Sequence, residues 1–251
     1  MKNTFVRRLD GNTAYTDDGT VKAKAVIVAT HFPFINRRGL YFMKLYQTRS
    51  FVAALKNGPD LMGTYETTSE RGAYFRTYKN YLLVGGGDRR TGTKNGGFPA
   101  IYEYVKRNFP GCEIKYAWAA QDCTSLDGIP YIGRYSPSTP NLYVATGFNE
   151  WGMTTSMAAA DILADLITGA KNDYAPVFSP DRSIFRMQLL KNAGETFANF
   201  ILPTPKRCPH LGCALRWNPE EQSWDCACHG SRFDGHGRLI DNPAMRDARV
   251  E

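Results

Sequence analysis

Residues 208–235 read CPHLGCALRWNPEEQSWDCACHGSRFDG and hold four of the chain's six cysteines and two of its four histidines. Two short loops each offer one thiolate and one imidazole: Cys208-x-His210, then fifteen residues, then Cys226-x-x-His229. Each loop also carries a second cysteine, Cys213 in the first and Cys228 in the second. Thiolates suit soft or borderline metals and imidazole suits iron or zinc, so the set admits either zinc or an iron–sulfur centre. Gly212 and Gly230 permit sharp turns that leave backbone N–H groups free to point at sulfur, and the Ser231 hydroxyl can do the same.

With both glycines in register, CPHLGC and CACHGSRF resemble the two-loop signature of the Rieske iron–sulfur proteins. The resemblance implies a [2Fe–2S] cluster with Cys208 and Cys226 on one iron and His210 and His229 on the other. It also implies a Cys213–Cys228 disulfide between the loops, with Gly212, Gly230, Ser231 and Phe233 around the cluster. Histidine for cysteine on one iron raises the reduction potential relative to an all-cysteine ferredoxin. Two departures stand out. Phe233 occupies the place where respiratory members carry a tyrosine that hydrogen-bonds a ligand sulfur, which predicts a lower potential. The small β base that normally precedes the first loop is missing, because 193–201 reads as helix and only LPTPKR separates it from Cys208. The cluster is therefore expected to lean on the rest of the chain. His236, in DGHG, reads as a turn residue outside the pattern.

Upstream, residues 4–9 and 12–16 alternate apolar and polar around Asp10-Gly11, and Asp18-Gly19 marks a second turn, which predicts a small meander. KAKAVIVAT (22–30) reads as a strand buried on both faces. Residues 48–56, 62–67, 73–79 and 81–85 predict an antiparallel sheet of about four strands, followed by a helix over 99–109 and a strand over 113–119. The segment Asn141 to Ser156, NLYVATGFNEWGMTTS, predicts a strand ending in Gly147 and a second glycine, Gly152, opening a helix that runs to Leu166. Met153, Met157, Ala160, Ala164 and Ile167 recur at helical spacing as its apolar face. A helix start beside a strand end attracts negative charge.

The order AKAVIVATHFPF, LLVGGGDRRTG, LDGIPYIGR, LYVATGFNEWGMTTSMAAADILADLI is similar to the C-terminal half of flavoproteins of the D-amino-acid oxidase and glycine oxidase superfamily, over about residues 4–170. What it implies is an α+β / α/β fold: the C-terminal part of a D-amino-acid-oxidase-like domain over 1–200, with its substrate-domain sheet at 41–120, and a Rieske segment over 201–251. Ala29 and Thr30 would lie beside the dinucleotide part of FAD. Gly147, Phe148, Asn149, Trp151, Gly152, Met153 and Thr154 would run along the flavin ring. Trp118, Gln121 and Asp127 fall in the order of members that carry both segments. Gln121, a neutral amide, stands near where glycine-oxidase-like members bind the substrate carboxylate with an arginine, and Arg76 is a substitute anion binder to consider. No G-x-G-x-x-G follows a strand, and VGGGDRRTG is the nearest approach. The chain thus resembles a C-terminal fragment, in which FAD binding is expected to be weak.

The expected activity is hydride removal from a small amine or hydroxy substrate by FAD, with electrons passed singly to the cluster; the alternative is a non-catalytic electron-transfer or sensor module. His31 and Glu150 are candidate bases, and no catalytic residue is assigned. Cys112 and Cys123 read as small buried residues. A formal net charge of +7 is scattered along 251 residues, which argues against nucleic acid and leaves an acidic electron-transfer partner as a match. With no apolar run long enough to span a bilayer and no signal-like start, the expected location is cytoplasmic.

Overall fold

The computed structural model describes residues 4–68 and 72–250. β1 (Val6–Asp10), β2 (Thr13–Thr16) and β3 (Gly19–Lys22) form an antiparallel meander that reverses at the two Asp-Gly pairs. β4 (Val26–Val28), the single turn α1 (Tyr41–Lys44), β5 (Leu45–Lys56), β6 (Thr64–Glu66), β7 (Tyr74–Tyr78) and β8 (Tyr81–Arg90) follow. Then come α2 (Phe98–Asn108), β9 (Glu113–Ser125), β10 (Tyr131–Arg134), β11 (Leu142–Thr146), α3 (Gly152–Thr168), α4 (Ala175–Phe178) and α5 (Met187–Ile201). Four short strands close the chain: β12 (Leu215–Asn218), β13 (Ser223–Cys226), β14 (Arg232–Asp234) and β15 (Leu239–Asp241).

The largest sheet has five antiparallel strands in the order β6-β7-β8-β5-β9. It gains a strand over the expected four because β9 runs on to Ser125 and pairs along the whole of β5. The strand alternation of β5 is what divides its environment: Leu45, Gln47, Arg49, Phe51 and Ala53 are buried while the residues between them are half-buried. Ile101 and Val105 of α2 pack on Phe51, Leu55, Leu82 and Val84. Gly85 in β8 lies under the Tyr74 ring, where any Cβ would overlap the ring atoms.

A second sheet, β10-β11-β4, has β11 buried along its length. KAKAVIVAT contributes only Val26–Val28 to it, and Ile27 is 46% exposed rather than buried. Side chains alternate across β4, with Val28 buried and Ile27 on a face that meets solvent. Helix α3 also differs from expectation. The buried face is Ala159, Ile162 and Leu163, packed on Ile132, Tyr143 and Ala145, whereas Met153 and Met157 are 89% and 68% exposed. The helix offers two apolar stripes, so periodicity did not separate its faces; the branched Ile162 and Leu163 beside small Ala159 give the closer fit to the sheet.

The last sheet, β12-β13-β14-β15, wraps a core of Leu215, Phe233, Ala244, Ala248 and Val250 around four cysteines. The small β base is therefore built after the first loop instead of before it. No described helix is long and apolar enough to cross a membrane.

Candidate metal centre and the neighbouring cavity

The two cysteine–histidine loops are hairpin-like. Gly212 N–H donates to Cys208 O at 2.9 Å and Gly230 N–H to Cys226 O at 2.9 Å, so each glycine closes its own turn at positive φ (83° and 86°). The N–H groups left over point at sulfur: those of His210 and Leu211, with the Ser231 hydroxyl, at Cys208, and those of Cys228 and His229 at Cys226. The two thiols hydrogen-bond each other, and Cys208 is pushed down to about 7, first by that bond and then, against burial, by its backbone and hydroxyl donors. Cys226 is correspondingly pushed up.

The two imidazoles are adjacent, with ring centroids 4.9 Å apart at 89°. Burial pushes His210 down to about 4; burial, with His210 and Arg90 nearby, pushes His229 to about 3. Both are neutral at neutral pH, which is the form that ligates metal. In each ring Nδ1 is buried and without a partner. Cys213 and Cys228 are joined in a disulfide with Cα atoms 6.6 Å apart. Cys226 sulfur lies within 4.8 Å of both, the tightest potential metal group among the described residues, but two of its three sulfurs are spent in the disulfide. Two thiols together, two imidazoles together and donors aimed at the ligand sulfurs fit a two-metal centre.

A cavity of about 290 Å³ opens at the N-terminus of α3, lined by Ala29, His31, Asp122, Cys123, Ala145, Thr146, Gly147, Phe148 and Gly152. Burial, then neighbouring carboxylates, pushes Glu150 up; burial also leads the upward shifts of Asp88 and Asp122. Ser50 hydrogen-bonds Glu150 at 3.4 Å.

Residues 1–166 match the family model described as FAD dependent oxidoreductase. The chain belongs to that family. Residues 186–250 match the Rieske [2Fe-2S] domain, so an FAD-dependent oxidoreductase domain is fused to a Rieske domain. A Bacillus subtilis (strain 168) protein, YhfW, provisionally named a Rieske 2Fe-2S iron-sulfur protein, is 30% identical over 90% of this chain and 54% of its own. The chain thus spans about half the length of that curated relative. The cytochrome b6-f complex iron-sulfur subunit 2 of Trichormus variabilis is 46% identical over 43 residues, 17% of this chain and 24% of its own. Glycine oxidase from Geobacillus kaustophilus shares the fold, with a TM-score of 0.58 at 24% identity over 72% of this chain and 52% of that one.

Within this FAD-family fold, Ala29, Gly147, Phe148 and Gly152 meet at the cavity. Thr30 does not line it; its hydroxyl donates to Phe32 O and its carbonyl accepts from Asn242. Asn149 spends its side chain internally, donating to Gly128 and Gly147 carbonyls and accepting from Ser125 N–H. Trp151, Met153 and Thr154 face solvent around the helix start. Arg76 is exposed, stacked over Tyr78, and does not line that cavity. Asp127 pairs with Arg182 at 2.8 Å. Cys123 is buried, which pushes its thiol up to about 12, while Cys112 is only half-buried. His236 sits exposed in its turn, its N–H bonded to Asp234.

Gln121 is not free for substrate. Its Nε2 donates to Gln47 Oε1 and to Gly230 O, both at 2.9 Å, and its Oε1 accepts from Thr91. Gln47 Nε2 in turn donates to His229 O at 2.7 Å and Asn242 O at 3.0 Å. Arg90 donates to the carbonyls of Ala227 and Cys228. Buried Arg49 pairs with Glu221, and Arg89 with Glu220 at 3.2 Å. Gln47, Gln121 and Arg90 mount the second cluster loop on β5, β8 and β9, and the two ion pairs tie the β12–β13 turn to the same sheet. Sequence reasoning missed all of them except Gln121, because their partners lie more than 100 residues away.

Proposed function

We propose that this chain acts as an FAD-dependent oxidoreductase that takes hydride from a small amine and delivers the electrons singly to a Rieske cluster held by Cys208, Cys226, His210 and His229. The observation that carries the reading is the continuity of one segment. Ala29 and His31 line the cavity, and a few residues on, Phe32, Asn36 and Phe42 touch the two imidazoles. Bound FAD would supply two-electron chemistry and the cluster one-electron chemistry, so the pairing splits a hydride into single steps. The start of α3 presents unpaired N–H groups and a positive dipole end at the cavity, suited to negative charge on a bound cofactor.

The choice of an amine over an α-amino acid rests on two supports. Gln121 is consumed by the Rieske mount, which leaves no donor there for a substrate carboxylate. Asp88, Asp122 and Glu150 crowd the neighbouring face, and a cationic substrate would relieve their mutual repulsion. We further propose that the Rieske unit spans 201–251, with α5 as the connection.

The test is to purify the protein at its native cellular length and record its visible spectrum, iron and labile sulfide. Small primary and secondary amines, hydroxy acids and amino acids are then added without oxygen. Flavin bleaching by amines, followed by the paramagnetic signal of a reduced cluster, is the expected result. Cluster absorption with no flavin would reduce the protein to an electron carrier, and a colourless zinc protein would refute both.

A further inference from the structure

An imidazole that binds metal through one nitrogen has a second nitrogen to spend, and the partner of the second sets the orientation and basicity of the first. In this protein the second nitrogen of His210 is claimed by the flavoprotein part. His210 Nε2 lies 2.8 Å from Asn36 Oδ1, a residue 174 positions earlier. An amide oxygen only accepts, so Nε2 carries the proton and the buried, unpartnered Nδ1 is left as the base. In His229, too, Nδ1 is buried and without a partner, and the ring meets the Phe42 ring edge-on.

Aromatic rings pack around both imidazoles. Phe32 is fully buried and meets both imidazoles edge-on, with centroids 6.3 Å from each. The Phe42 ring meets His229 at 6.1 Å. Asn242 Nδ2 ties the same segment down, donating to Thr30 O at 2.7 Å and Phe32 O at 3.0 Å. His229 itself is 2% exposed.

We infer that Asn36 is a positioning residue for the cluster: it locks the His210 imidazole with Nε2–H turned toward the flavoprotein part. The His229 ring is buried and packs edge-on against Phe32, next in the chain to the cavity-lining His31, while His210 stays partly exposed. This deepens the proposed function and rests on it, because it requires His210 and His229 to ligate iron. An acceptor on Nε2–H adds electron density to the imidazole and favours oxidised iron, so its strength sets the potential.

The experiment compares Asn36→Leu, Asn36→Ser and Asn36→Asp in the full protein, at one pH, by iron and sulfide content, midpoint potential and pulsed paramagnetic resonance of the remote imidazole nitrogen. Removing the acceptor in Asn36→Leu shifts the potential upward, and the anionic acceptor in Asn36→Asp shifts it downward, with loading retained and the remote-nitrogen coupling of one imidazole changed. A merely structural role would lower loading without moving the two potentials in opposite directions. If Asn36→Leu loses iron, the Asn36→Ser and Asn36→Asp pair carries the same comparison. Unchanged potentials and couplings at full loading overturn the inference and leave the cluster reading standing; a parent protein without iron and sulfide overturns both.

Discussion

Replacing Gln47 by leucine tests whether the flavoprotein sheet holds the Rieske loop by hydrogen bonds or by contact alone. The side chain is 1% exposed and makes three bonds, donating to His229 O and Asn242 O and accepting from Gln121. Leucine fills nearly the same volume, so no large cavity opens, and the loss is that of the bonds. At about 1 kcal/mol each, Gln47→Leu costs about 3 kcal/mol, and more if the two carbonyls stay dry and unpaired. Gln121→Leu also loses three bonds but is half-buried, so roughly 2 kcal/mol is expected. The two share one bond. The double variant should therefore cost about 4 kcal/mol, roughly 1 less than the sum. Urea midpoints of the cluster-loaded protein, read by cluster absorbance and far-ultraviolet dichroism at a common slope, give these differences. Single costs below about 0.5 kcal/mol, or strict additivity, would refute the claim that this amide pair is the mount.

Two further outcomes are expected. Phe233 is fully buried among the cluster cysteines, and Phe233→Tyr should restore a donor to a ligand sulfur and raise the midpoint by about 60 mV, the equivalent of about 1.4 kcal/mol for one electron; voltammetry showing no rise would mean the added hydroxyl misses the sulfur. Asp88 is held above its ordinary value chiefly by burial, so its contribution to folding is fully present below about pH 4 and is lost as pH rises through its folded value. Asp88→Asn should accordingly be more stable than the parent at pH 7 and equal to it below pH 4, as urea midpoints at the two pH values would show.

The two cluster loops could be read from the sequence because their chemistry is local: cysteine, histidine and glycine at fixed spacing define a turn and its ligands within six residues. The cavity was readable in part. Gly147, Phe148 and Gly152 reach it because they sit on the strand end and helix start that form it, while Asn149, Trp151, Met153 and Thr154 share the segment but turn inward on themselves or outward. Gln47, Arg90, Asn36 and Asn242 carried no local signal, since an amide or guanidinium that bonds a carbonyl far along the chain looks like any surface polar residue. The buried face of α3 was misassigned for a different reason. Its sequence offers two apolar stripes, and only the shape of the β10-β11 surface chooses between them.

Strand alternation explains how one sheet serves both halves of the protein. Arg89, Arg49 and Gln121 are cross-strand partners on β8, β5 and β9 and form a row aimed at the Rieske unit. Their immediate neighbours Asp88, Ser50 and Asp122 form or approach the carboxyl-lined face. A side-chain period of two puts these sets on opposite sides, so a slip of one residue would turn Arg49 and Gln121 away from the Rieske unit; Arg90, the last residue of β8 and next to Arg89, reaches the Rieske loop as well. The buried pairs Arg49–Glu221 and Arg89–Glu220 are then best understood as register devices: ion pairs of this kind add little net stability, but a slipped strand would leave both guanidinium groups buried without partners, at a cost of several kcal/mol each. Position 121 shows the consequence for function. Gln121 is turned to the Rieske loop, and the carboxyl groups of Asp88 and Asp122 stand one position along from this row.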